Sequence, residues 1–208
     1  MAEQYLSAFA IDADAFHVMA GSRDEALVRT ALNVIVEQRD TGTLLRATDA
    51  AEVEPALREI VAGRLDPSRP AGYTWLLELL GRAAGDPLGS LVLPGRGWHA
   101  LEDAFGAWGL PTLAGLWGRA WTFPWHAAAP DDDPWPFPML ASKADLDRIR
   151  DELGVFDTGR VHDEHDLLPD GDDDAENTAH LVGDLLPAWV DGARARGREL
   201  LLIRDGGR

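Results

Sequence analysis

The sequence predicts an α+β fold: one mostly helical domain, residues 1–208, packed on a small sheet that includes the N- and C-terminal strands. Three observations predict it. Short apolar strands open and close the chain, and segments with helical apolar spacing and cap signals fill the interval between them. Neither the proline-rich stretch nor the acidic stretch separates two self-sufficient cores. At 208 residues, 46% of them hydrophobic, the chain can bury a sizeable core.

Residues 5–11 set Tyr5, Ser7, Phe9 and Ile11 on one side and Leu6, Ala8 and Ala10 on the other. Both sides are largely apolar, which predicts a strand covered on two faces. Ser22, Arg23, Asp24 and Glu25 have the form of a capping box. Leu27, Ala31, Leu32 and Ile35 behind it predict a helix of about 14 residues. Asp49 with Glu52 repeats that start signal for a stripe of Val53, Leu57, Ile60 and Val61, with Gly63 as its C′ stop. Residues 68–84 read as a further helix with Pro70 in its first turn. Tyr73, Trp75, Leu76, Leu77, Leu79 and Leu80 nearly encircle it, as expected of a central core helix.

Residues 91–93 are too short to assign. Trp98, Leu101, Phe105 and Trp108 then fall at helical spacing, and Gly109, Leu110 and Pro111 end that segment. Residues 109–138 read as irregular because prolines punctuate them throughout. Ser142 caps a helix carrying Leu146, Ile149 and Leu153, stopped at Gly154. Residues 157–176 hold nine carboxylates against one arginine, a net of −8, and read as a solvated, partly mobile loop. A last helix over 177–196 carries Leu181, Leu185, Trp189 and Ala193, with Pro187 as a kink point. Residues 199–203 close the chain as an apolar strand.

The formal net charge is −17, from 36 acidic against 19 basic residues. That balance repels phosphate backbones and anionic lipid, so neither nucleic acid nor membrane is an expected partner. A basic protein fits better. No apolar run approaches the roughly 20 residues that a membrane-spanning helix needs, and no signal-like opening is present. The expected location is the cytoplasm. There is no cysteine, which rules out disulfides, thiolate metal sites and cysteine nucleophiles.

One cluster resembles a catalytic site: His162, Asp163, Glu164, His165 and Asp166. Two imidazoles three residues apart among carboxylates suit a divalent transition metal, which would acidify a bound water for hydrolysis. The alternative is a solvated charge run, and the spacing differs from the helical metalloprotease motif. No stoichiometric metal and no cofactor are therefore expected. The acidic run from Asp170 to Glu176 lacks the glycine and glutamate positions of an EF-hand loop. No phosphate loop, nucleophile elbow or dinucleotide fingerprint appears.

Six of the eight tryptophans lie from Trp98 to Trp135. Phe123, Trp125, Trp135 and Phe137 are interleaved with prolines, which force extended backbone. Such a segment is either packed down as a lid on the core or held ready as a binding surface. In the second case the rings anchor a partner while Asp131, Asp132 and Asp133 steer its basic surface toward them.

Three stretches resemble a family of short, uncharacterised actinobacterial proteins: residues 5–11, residues 61–64 with 72–80, and residues 186–194 with 200–203. The resemblance covers about a quarter of the chain, leaves residues 121–176 outside it, and implies only a high-GC bacterial origin. The predominance of arginine over the single lysine, Lys143, agrees.

The expected function is a non-catalytic, acidic protein-interaction module of an immunity-like, antitoxin-like or accessory kind. The alternatives are a metal-dependent hydrolase built on His162, His165 and Asp166, and a small-molecule binder with an aromatic-lined pocket.

Overall fold

The computed structural model describes residues 3–39, 50–66, 73, 76–94, 97–123, 125, 136–168 and 172–206. Strand β1 (Glu3–Ile11) is apolar on both sides, and the fold answers by placing helices on both faces of its sheet. Four antiparallel strands run in the order β2 (Asp86–Pro94), β1, β4 (Glu199–Gly206), β3 (Phe137–Ala141). β1 pairs directly with β4, from Gln4 opposite Gly206 to Ile11 opposite Glu199. The two terminal strands are thus the centre of the sheet, as their double-sided hydrophobicity requires.

Leu6, Ala8, Ala10, Leu200 and Leu202 face a first core. Over it lie α5 (Gly97–Ala107), α6 (Pro111–Trp117), α7 (Lys143–Val155), α8 (Gly159–Asp163), α9 (Asp172–His180) and α10 (Leu186–Ala195). Phe9, Ile11, Leu201 and Ile203 face a second core. That one is closed by α1 (Ala13–His17), α2 (Glu25–Arg39), α3 (Ala50–Ala62) and α4 (Leu77–Ala84).

Several elements differ from expectation, each for a local reason. The cap of α2 is Asp24, whose Oδ1 accepts from the N–H groups of Ala26 (2.8 Å) and Leu27 (3.0 Å). Ser22 Oγ instead accepts from the Asp24 N–H. Gly63 does end α3, in the left-handed region at φ 65°, where its own N–H and that of Arg64 reach back to the Ile60 and Glu59 carbonyls. Asp49 and the side chain of Glu52 lie outside the described residues, as do Pro70 and Trp75. The described part of the expected 68–84 helix is α4 together with Tyr73 and Leu76, and residues 76–81 are buried.

The expected irregular stretch 109–138 holds a helix and the start of a strand. Pro111 begins α6 rather than ending α5, since a first-turn residue needs no N–H donor. The carboxylate of Glu152 on α7 accepts from the Thr112 N–H at 3.0 Å, so an acid meets the positive end of α6. Pro138 sits in β3, and Pro87 and Pro94 in β2; both are edge strands, where a missing donor is tolerated. β2 runs for nine residues where only 91–93 read as apolar, because its prolines and the register shift near Gly89 hide the alternation. Before Pro187 the backbone widens into a π-turn, Leu181–Leu185, which absorbs the clash a proline makes with the carbonyl four residues back.

In the second core the Tyr73 hydroxyl donates to Glu59 and accepts from the Asp66 N–H at 2.6 Å. Burial, and then the bond to Glu59, hold the phenol above its ordinary range. The folded state thus favours the neutral form, so this stability is complete below the unfolded value of about 10 and is lost as pH rises beyond it. The urea midpoint should therefore fall from about pH 9 to about pH 11, and fall less in Tyr73→Phe. Parallel curves for the two proteins would contradict the assignment.

Candidate functional site

The segment after α6 lies against the second core. The Trp121 N–H donates to the Pro138 carbonyl oxygen at 2.8 Å, fixing the segment beside β3. Its rings form a continuous row: Trp121 lies 5.7 Å from His17 and 6.1 Å from Phe16, Phe123 lies 5.1 Å from Trp121, and Trp125 lies 4.2 Å from Phe123. Phe123 and Trp125 are buried in this core, Trp125 completely. Both rings close the core in the way a lid does, and neither is presented to solvent. Among the described residues the buried Trp125 indole Nε1 has no hydrogen-bond partner.

Phe137 is half-buried on the first-core face, under the Arg204 guanidinium at 4.2 Å; the same cation stands 5.8 Å from the Trp117 ring. Of the seven residues expected to form a contact surface, then, two are core and one is packed beneath an arginine. Trp135, Asp131, Asp132 and Asp133 lie outside the described residues.

The acidic stretch 157–176, expected as a loop, carries helices α8 and α9 with a 3-10 turn at His165–Leu167 between them. Its inner side is apolar: Val161, Leu168 and Ala175 are buried in the first core, followed by Val182 at the same seven-residue spacing. Arg160 ties it further, donating to the Trp108 carbonyl at 3.0 Å and pairing with Glu164. On the outer side Asp157, Asp163, Asp166 and Glu176 are exposed. These carboxylates are held on a surface that is fixed from beneath.

The histidines of this stretch make local contacts. His162 is exposed, the His165 Nδ1 lies 2.8 Å from the His162 carbonyl oxygen, and its Nε2 is 3.6 Å from Asp166. Among the described residues no three His, Asp or Glu side chains converge as a metal would require.

Two surface grooves are formed among the described residues. One, of about 530 Å³, lies between α7 and α10 and is lined by Lys143, Leu146, Asp147, Asp191, Arg194 and Arg198. Its charges answer one another: Arg194 meets Asp147 at 2.9 Å and Asp191 at 3.5 Å. The other, about 290 Å³, is lined by Thr112, Arg119, Asp145 and Arg148 among others. No aromatic ring lines either groove, so neither is the aromatic pocket that a small-molecule binder would need.

The model of a domain of unknown function, DUF7691, matches residues 2–204. The chain belongs to this family. The DUF7691 match takes in the three stretches that carried the resemblance and also residues 121–176, which it left outside. No curated protein and no solved structure matches the chain. Among the described residues of this DUF7691 chain, no helix is long and apolar enough to cross a membrane.

Proposed function

We propose that this protein is a non-catalytic interaction module that recognises a basic protein by charge, in an accessory, immunity-like or antitoxin-like role. The observation that carries this reading is the acidic stretch: exposed Asp163 stands on α8, Asp166 in the 3-10 turn and Glu176 on α9, and the stretch is anchored by Val161, Leu168 and Ala175. A solubility tail gains nothing from such anchoring, since crowding like charges on a fixed surface costs stability. A recognition surface does gain, because preorganised charge steers a cationic partner and little is left to order on binding. The absence of cysteine and the arginine bias fit the cytoplasm of a high-GC bacterium.

The test compares wild type with Asp163→Asn/Asp166→Asn/Glu176→Gln as baits in native lysate, identifying captured proteins by mass spectrometry. A basic protein should be retained by wild type and depleted about tenfold both in the variant and on going from about 0.1 M to about 1 M salt. Identical capture by both baits would sink the reading.

A further inference from the structure

The sheet has two edges, finished differently. β3 is five residues long, and its outer side is met by the Trp121 N–H on the Pro138 oxygen. β2 is nine residues long, and among the described residues no backbone group outside β1 pairs with it. From Pro87 to Pro94 it carries no charged side chain, in a chain where 26% of residues are charged. Ser90 is exposed, and Val92 is 46% exposed. Natural edges are usually blunted by charge, by proline or by a bulge. Here the prolines stand at the two ends and the bulge falls near Gly89, which leaves residues 90–93 as a window that no further strand fills among the described residues. It is too short and bent to propagate a sheet, yet long enough to accept one strand.

Helices α4, α5, α9 and α10 pack against this strand. Arg82 of α4 is paired with Glu78, and Arg194 of α10 with Asp147 and Asp191. Neither α5 nor α9 contains a lysine or arginine, and between them they carry Glu102, Asp103, Asp172, Asp173, Asp174 and Glu176. Glu102, Asp103 and Glu176 are exposed. At the far end of the strand Asp86 is answered by Arg196 at 3.4 Å and Arg198 at 2.9 Å. A neutral strand edge thus runs beside two helices whose formal charges are all acidic, while the arginines near it are paired with carboxylates.

We infer that the outer edge of β2 is the docking site for an extended, basic segment of a partner protein, added as a fifth strand. This rests on the acidic-module reading and names the part of the partner it recognises. Main-chain bonds to residues 90–93 hold the segment, and alternate side chains, Lys or Arg, lie on the α5 and α9 side. The side chains between them lie beside Ser90 and Val92, where small or apolar residues suit. A second copy of this chain is the poorer occupant, since it brings its own −17 charge to the same edge.

The probe is a short, end-capped peptide alternating Lys and Val, titrated into the labelled full chain and followed by backbone amide NMR. Two controls accompany it: a Glu–Val counterpart, and Lys–Val peptides methylated on alternate backbone nitrogens in both phases. The Lys–Val peptide should shift the amides of residues 88–93, and the methylated phase that faces β2 should bind about tenfold more weakly through loss of its main-chain donors. Equal binding by both methylated peptides, or shifts that miss β2, overturns the edge site while leaving the acidic-module reading standing. Equal binding of the Glu–Val peptide, or no binding of the Lys–Val peptide, overturns both. A free protein that sediments as a dimer with β2 amides already protected overturns the inference in favour of a second copy.

Discussion

Deleting residues 199–206 should leave a chain with no cooperative unfolding transition. β4 is central, paired with β1 on one side and β3 on the other, so its removal takes both ladders and strands β3 without a neighbour. It also strips Leu200 and Leu202 from the first core and Leu201 and Ile203 from the second, each at most 1% exposed. Burial of such a side chain contributes roughly 1.5–3 kcal/mol, while a whole domain is stable by only about 5–15 kcal/mol. Four of them are together worth roughly 6–12 kcal/mol, and the two lost ladders add to that, so the loss is as large as the whole margin of a typical domain. Thermal melts followed by circular dichroism check this. A truncated chain that melts cooperatively within a few degrees of the full-length protein would contradict the pairing.

Trp125→Ala should cost about 3–5 kcal/mol, as truncation of a buried tryptophan does. The ring is fully buried, in contact with Phe123, and part of the row that closes the second core against α1. Trp125→Phe should cost much less, because it keeps most of the apolar volume and removes an indole N–H that has no partner among the described residues. Urea unfolding of the two variants separates these outcomes. If Trp125→Ala unfolds with wild type while partner capture disappears, the ring is a surface anchor and the lid description fails.

The terminal strands were legible because apolar residues on both sides of a short segment demand cover on both faces, and few other segments offered themselves as neighbours. The caps and stripes of α3 and α7 were legible from local spacing for the same kind of reason: a Gly63 or a Ser142 acts within its own turn. Where proline decides, the sequence is ambiguous. Pro111 stops one helix or starts another, and Pro138 breaks a strand or sits on an edge, according to neighbours that only the fold supplies.

The acidic stretch misled by its charge. Val161, Leu168, Ala175 and Val182 mark an inner face at seven-residue spacing, but nine carboxylates among them read as a solvated run. The aromatic segment had the opposite fault. Phe123 and Trp125 were visible as a pair pinned by proline, yet a lid and a contact surface share that pattern, and only their burial in the second core distinguishes them. The neutrality of β2 was equally present in the sequence, and it acquires meaning only once the strand order makes β2 an edge.

The proposed function depends on the carboxylates of α8 and α9 being held on a fixed surface, and hydrogen exchange of the free protein tests that most directly. Amides within α8 and the later turns of α9, through the π-turn at Leu181–Leu185, should exchange far more slowly than an unstructured chain, because their inner side chains are locked into the first core. Exchange across residues 159–182 at the rate of an unstructured peptide would contradict it, and would return the acidic stretch to a solvated tail with no recognition surface.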